Sequence, residues 1–100
     1  MLTLDKKWGE TSGSLLQKSM EIEDKRVQER LLALALVALG QSVRQVAEHF
    51  NRSRQTIGEW VHRFNQYGPD GLIPNFRGLR ADLTFEMLRQ PMEEPSRRAG

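Results

Sequence analysis

The sequence predicts an all-α domain of three helices, in which the second and third helices form a helix-turn-helix between Ser42 and His62. Two observations support this fold: apolar residues recur at helical spacing in two adjacent segments, and Asn51, a residue suited to a sharp turn, lies between them. The length of 100 residues is a third observation, because it suits one small domain with flanking segments. We therefore expect one domain over residues 21–68, preceded by an arm and followed by a basic linker.

The amino-terminal arm is expected to cover residues 1–20. Its first fourteen residues are rich in glycine, serine, threonine and charged side chains, which is typical of a flexible lead-in. Trp8 is the large apolar anchor expected within this lead-in.

A long first helix is predicted from Glu21 to Leu39, with acidic residues near its start and Gly40 at its end. One apolar stripe supplies a wall of the core and contains Val27, Leu31, Leu34, Ala35 and Ala38. A second stripe, which three helices do not fully bury, contains Leu32, Leu36 and Leu39. The second stripe is covered either by the arm or by another copy of the chain in a homodimer, and the arm is preferred. The arm residues that would cover it are Leu15, Leu16, Met20 and Ile22.

The first helix of the motif is predicted from the stripe formed by Val43, Val46, Ala47 and Phe50. Ser42 is placed to cap this helix, and the small side chain of Ala47 allows a second helix to cross closely. Asn51 then makes the turn, because asparagine adopts the left-handed conformation at modest cost.

The second helix of the motif is predicted to start after Ser53 as its cap and to stop at Gly68, before Pro69. Its inward-facing residues are Ile57, Trp60, Val61 and Phe64. Helix geometry then turns the remaining residues outward, and these are Arg54, Gln55, Gly58, Glu59 and His62.

An extended basic linker is predicted over residues 69–82, because its prolines and glycines disfavour a regular helix. Arg77 and Arg80 flank a glycine there and are candidates for insertion into a narrow minor groove, the alternative being an ordinary basic loop. Residues 83–100 are expected to form a short helix and a disordered tail, a truncated second subdomain that Pro91 breaks.

The net charge of +2 is unevenly distributed along the chain. Basic and acidic side chains balance over residues 1–40, whereas residues 41–80 carry six arginines against three acidic residues. Arginine binds phosphate and guanine well, so the coincidence of this excess with the helix-turn-helix favours double-stranded DNA as the partner. The alternative is a solvated face that happens to be basic.

The outward-facing residues have the chemistry of base and phosphate contacts. Arg54 can bind guanine through two hydrogen bonds, Gln55 can do so with adenine, and Gly58 permits close approach to the groove. Glu59 can accept from cytosine, although an exposed glutamate that is only solvated is the alternative. The residues expected at phosphates are Arg44, Arg52, Ser53, Thr56, His62 and Arg63.

Several other classes of site are not supported by the sequence. The absence of cysteine excludes disulfides and thiolate metal ligands, and His49 and His62 lie on different helices without a convincing carboxylate partner. No phosphate-binding glycine loop, nucleophile elbow or paired catalytic carboxylates occur, so neither an enzyme nor a cofactor is expected. No secretion signal or membrane span is found either, and we expect a cytoplasmic, nucleoid-associated protein.

The run from Arg30 through Leu83 resembles the amino-terminal DNA-binding region of bacterial insertion-sequence transposases of the mariner-like superfamily. That region has a hydrophobic helix ending in glycine, then a homeodomain-like helix-turn-helix ending in a segment similar to residues 60–68, WVHRFNQYG. A Gly-Leu pair, here Gly71 and Leu72, and a basic glycine-containing linker follow. The resemblance implies recognition of the terminal inverted repeats of a transposon by the helix that starts at Ser53.

This chain departs from the family pattern in two places. Asn51 replaces the usual glycine of the turn, and Pro91 with the end of the sequence shortens the expected second helix-turn-helix. The acidic catalytic domain is missing, so the strand-cutting activity is not carried over. Two other functions stay open: a dimeric transcriptional regulator that binds a palindrome, and a protein-interaction module that does not bind DNA.

Overall fold

The computed structural model describes residues 2–74, and these form four α-helices and two short 3-10 helices. The α-helices are α1 (Ser12–Met20), α2 (Lys25–Ala38), α3 (Val43–Phe50) and α4 (Arg54–Tyr67). One 3-10 helix, Lys6–Trp8, precedes α1, and the other, Gly68–Leu72, follows α4. The predictions for Arg77, Arg80 and the short helix and tail of residues 83–100 lie outside the described residues.

Side-chain caps determine where the helices of the domain begin. The Asp24 carboxylate accepts hydrogen bonds from the first backbone N–H groups of α2, so this helix starts after Asp24 and not at Glu21 as predicted. Ser42 and Gln45 form a reciprocal capping box at the start of α3, and Ser53 caps α4. The predicted caps at Ser42 and Ser53 are thus confirmed.

The turn between α3 and α4 depends on Asn51, which has the predicted left-handed conformation with φ 58° and ψ 44°. The following residue, Arg52, donates its backbone N–H to the carbonyl oxygen of Ala47 at 2.9 Å. This hydrogen bond closes the end of α3 and redirects the chain into α4, which ends at Gly68 as predicted.

The core lies between α2, α3 and α4. Ile57, Val61 and Phe64 are fully buried on one side of α4, and Trp60 is 7% exposed, so the predicted inward-facing stripe is confirmed. Val46 and Ala47 contribute from α3. The contribution of α2 consists of Val27, Leu31, Ala33, Leu34, Ala35 and Val37.

The amino-terminal segment is folded, and the flexible lead-in predicted for residues 1–14 is wrong for the described part. Thr11 and Ser14 form a capping box that starts α1, and α1 packs against α2. Leu15 and Ile22 are buried as the folded-back arm predicted, whereas Leu16 and Met20 are exposed. Residues 2–8, which we call the strap, lie along α4, with Leu2 beside Gly58 and Trp8 beside Gly68.

The second leucine stripe of α2 does not form a continuous exposed face. Leu36 packs against the core, Leu32 is half-buried, and Leu39 is 67% exposed. The predicted homodimer surface at Leu32, Leu36 and Leu39 is therefore reduced in the structure to a single largely exposed leucine.

The segment after α4 is also folded, which corrects the predicted extended linker over residues 69–73. Leu72 and Ile73 are nearly fully buried and belong to the core. Two arginines hold the 3-10 helix in place: Arg30 donates to the carbonyl oxygen of Leu72 at 2.9 Å, and Arg63 donates to that of Gly71 at 2.7 Å. Because these donors lie on α2 and α4, the carboxyl-terminal turn joins both helices.

Replacing Gly71 with alanine should destabilise this turn. A methyl group at Gly71 would lie 2.4 Å from the carbonyl oxygen of Arg63 and 3.1 Å from the Cβ atom of Tyr67. Relief of this clash must move the 3-10 helix away from α4, and we expect the free energy of unfolding to fall by about 2 kcal/mol. Urea unfolding followed by circular dichroism measures this, with Gly13→Ala as the control, since a Cβ atom there meets nothing closer than 3.8 Å.

Candidate nucleic-acid interface

The side of α4 opposite the core carries a row of exposed polar side chains at helical spacing. They are Gln55, Glu59, His62 and Gln66, and we call this row the polar stripe. The first three are among the residues predicted from the sequence, whereas Gln66 is not, although the same spacing continued by one turn points to it. An exposed row of this length gives α4 a surface that can enter a groove.

Three arginines converge on the amino-terminal end of the polar stripe. Arg44 from α3, Arg52 from the turn and Arg54 from the first turn of α4 all line one open depression of about 780 Å³. We call these residues the arginine cluster. Ser53 and Gln55 line the same depression, so the structure brings together five of the predicted DNA-contacting residues.

The hydroxyl groups of Ser53 and Thr56 have partners within the protein. The Ser53 Oγ atom accepts from the backbone N–H of Thr56 at 3.0 Å and lies 2.9 Å from the Thr56 hydroxyl, to which it donates. These bonds hold the first turn of α4. A phosphate accepts hydrogen bonds, so a hydroxyl group binds it only by donating its hydrogen. A phosphate contact from Ser53 therefore requires its hydroxyl group to rotate away from Thr56, whereas the Thr56 hydroxyl is the acceptor of this bond and can still donate to a phosphate.

Gly58 does not lie on the exposed face, which corrects the sequence prediction. It is buried, and a Cβ atom placed there would lie 3.6 Å from a methyl group of Leu2 in the strap. Gly58 is therefore covered by the strap and does not face a DNA groove, although a Cβ atom there would make only an ordinary van der Waals contact with Leu2.

Arg52 is held by Glu29 of α2. Its guanidinium donates to both carboxylate oxygens of Glu29, each at 2.7 Å, while about half of the Arg52 side chain stays exposed. The hydrogen bonds from Arg52 lower the pKa of Glu29 below its usual value of 4.5, against the opposing effect of burial. This ion pair fixes the turn arginine beside the start of α4.

Arg63 and Arg30 are used within the fold. Arg63, which the sequence predicts as a phosphate contact, donates from Nε to the carbonyl oxygen of Gly71. Arg30 is half-buried, and its guanidinium lies 5.4 Å from the ring centre of Trp60. Burial is the main cause that lowers the pKa of Arg30, and repulsion from Arg26 and Arg63 lowers it further.

A second, smaller depression of about 330 Å³ lies on the flank of α4 that faces the start of α2. The basic residues that α2 supplies there, Arg26 and Arg30, were not predicted from the sequence, because their alignment with α4 depends on helix packing. The residues that line it are Arg26, Glu29, Arg30, Arg52, Thr56, Glu59 and Trp60.

Glu29→Gln should destabilise the protein near neutral pH. The bidentate geometry and partial burial place the cost at about 1 kcal/mol, the upper end for such pairs. Because the pKa of Glu29 is lower in the folded state, its stabilisation is complete above pH 4.5 and disappears as the pH falls through the lowered pKa.

Unfolding by urea at several pH values between 7 and 2.5 should therefore show the wild type and Glu29→Gln converging in acid. Glu48→Gln is the matched control, because Glu48 lies 3.6 Å from Arg44 in a pair whose side chains are both more than 70% exposed. A constant difference between wild type and Glu29→Gln across this pH range would contradict the assignment.

The two histidines, His49 and His62, are both exposed and lie on different helices. Over residues 2–74, no three His, Cys, Asp or Glu side chains are grouped so that they could hold a metal ion. None of the helices described for this chain combines the length and the apolar character needed to cross a membrane.

Comparison with known proteins adds one finding to this geometry. A family model described as a homeodomain-like domain matches residues 24–73, from the cap of α2 to the residue after the second 3-10 helix. This family is found in transposases. The comparisons with curated proteins and with solved structures gave no match. Because the match covers half of its length and contains the three helices α2, α3 and α4, the chain belongs to the homeodomain-like domain family.

Proposed function

We propose that this protein binds double-stranded DNA sequence-specifically, with the polar stripe of α4 in the major groove. The observation that carries the proposal is the position of the arginine cluster at the capped, amino-terminal end of that stripe. Helix amino termini carry partial positive charge, so arginines there add to an existing attraction for phosphate. An exposed row of hydrogen-bonding side chains beyond it supplies the base contacts.

Each group of residues then has its own role. Arg54 and Gln55 read purines, and Glu59, His62 and the added Gln66 extend the contact along the groove. Arg44 and Arg52 bind phosphates on the side of α3 and fix the position of the helix on the duplex.

We further propose that the DNA site is the end of a transposon. The occurrence of the matched family in transposases supports this choice. The dimeric regulator is less well supported, because the leucine face expected to join two copies is largely covered in the fold.

Selection from a random library of duplex oligonucleotides, at two salt concentrations, tests this proposal. We expect one enriched sequence whose binding weakens steeply as salt rises, because arginines displace counterions from phosphates. A transposon-end binder should enrich an asymmetric site, whereas a regulator should enrich a palindrome with half-sites about one helical turn apart. No enrichment and no salt dependence would leave the interaction module as the better account.

A further inference from the structure

The side chain of Asn65, in the carboxyl-terminal half of α4, joins this helix to the strap. Its Oδ1 atom accepts from the backbone N–H of Asp5 at 2.7 Å, and its Nδ2 atom donates to the carbonyl oxygen of Thr3 at 3.0 Å. The backbone oxygen of Asn65 also accepts from the indole N–H of Trp8 at 3.1 Å. One residue thus makes three hydrogen bonds to a segment some sixty positions away in the sequence.

This pairing requires an amide. The carbonyl of Thr3 and the N–H of Asp5 flank Leu4 and are both satisfied by the same side chain, which needs one donor and one acceptor. A carboxylate at position 65 has no donor for Thr3, and an aliphatic side chain has neither group. Leu4 itself packs against the core, so the hydrogen bonds and the apolar contact hold the strap together.

The strap lies along the flank of α4 over most of the length of that helix. Leu2 covers Gly58 near the start, and the Trp8 ring lies so close to Gly68 that a Cβ atom there would be 2.7 Å away. The distance from Gly58 to Gly68 along the helix axis is about 15 Å. The strap therefore borders the polar stripe, although it lies outside the family match, which begins at residue 24.

We propose that Asn65 is a positioning residue for DNA recognition, which holds the strap against α4 and so fixes the orientation of the polar stripe. This inference rests on the proposed DNA binding. Base contacts depend on hydrogen-bond distances and angles, whereas attraction between arginine and phosphate tolerates small shifts. A strap that comes loose should therefore reduce sequence discrimination more than it reduces general affinity for DNA.

Two variants disrupt the hydrogen bonds between the Asn65 side chain and the strap, which we call the clamp, one from each side. Asn65→Ala removes both side-chain hydrogen bonds. Asp5→Pro removes the backbone N–H that donates to the Asn65 Oδ1 atom. The φ of Asp5, −71°, already suits proline. Asp5→Ala is the matched control, because it loses the same carboxylate, including its cap to Lys7, but keeps the N–H. Thr3→Ala is a second control, since Thr3 pairs through its backbone.

The measurement is the ratio of dissociation constants for a scrambled duplex and for the duplex selected by the wild type. Partial unfolding weakens both affinities by the same factor, so this ratio reports the orientation of α4 and not stability. We expect the ratio to fall about tenfold in Asn65→Ala and Asp5→Pro, and to stay within about twofold of wild type in both controls.

An unchanged ratio in either clamp variant would overturn the positioning role, whether the two affinities stay the same or fall by an equal factor. If the wild type prefers no duplex at all, the proposed function itself is wrong, and the inference about Asn65 fails with it.

Discussion

Replacing Trp60 with alanine should lower the free energy of unfolding by about 3 to 5 kcal/mol. The indole is 7% exposed and belongs to the stripe of α4 that packs on the core. Its removal leaves a cavity in the centre of a domain whose whole stability is of the order of 5 to 15 kcal/mol. It also removes the aromatic ring beneath the Arg30 guanidinium, which holds the second 3-10 helix.

Chemical denaturation followed by circular dichroism measures this effect. His62→Ala is the matched control, because His62 lies on the exposed side of the same helix and its loss should cost less than about 0.5 kcal/mol. A cooperative melt of Trp60→Ala within 1 kcal/mol of wild type would place Trp60 outside the core. An indole outside the core would instead be available for stacking on bases.

The helix-turn-helix was predictable because its signals are local. Ser42, Asn51 and Ser53 act on backbone groups a few residues away, so residue type and spacing are enough to place the two caps and the turn. The inward-facing residues of α4 follow from helical periodicity alone. These features do not depend on which other segments of the chain pack nearby.

The segments on either side of the motif were not predictable in this way. The strap is held by Asn65, and residues 71 and 72 are held by Arg63 and Arg30, through side chains that bond to backbone groups of distant residues. The amino-acid composition of such segments predicts flexibility, because composition carries no information about contacts between residues far apart in the sequence. The wrong prediction that Gly58 is exposed has the same cause. Helix geometry gives the direction in which Gly58 faces, but it does not show that the strap covers this position.

The candidate site was predictable in its residue types and less so in their roles. Arg52 and Arg63 have the chemistry of phosphate ligands, but one is paired with Glu29 and the other donates to a carbonyl group. Arg54 and Gln55 keep the exposed position predicted for them at the start of α4. The central claim of base recognition therefore depends most on these two residues.

Replacing Arg54 with alanine should reduce the preference for the selected duplex over a scrambled duplex by about 1 to 3 kcal/mol. Its guanidinium is exposed in the first turn of α4, where two parallel hydrogen bonds to guanine are possible. Arg44→Ala is the matched control from the same arginine cluster, with a side chain that is 74% exposed. Its loss should weaken binding to every duplex by a similar factor, because a phosphate contact carries no sequence information.

The most direct test of base recognition by α4 is a titration of wild type, Arg54→Ala and Arg44→Ala against both duplexes at one salt concentration. We expect Arg54→Ala to lose affinity mainly for the selected duplex, and Arg44→Ala to lower both affinities by nearly the same factor. If Arg54→Ala weakens the two duplexes equally, as a phosphate contact would, the start of α4 does not read bases and the claim is wrong.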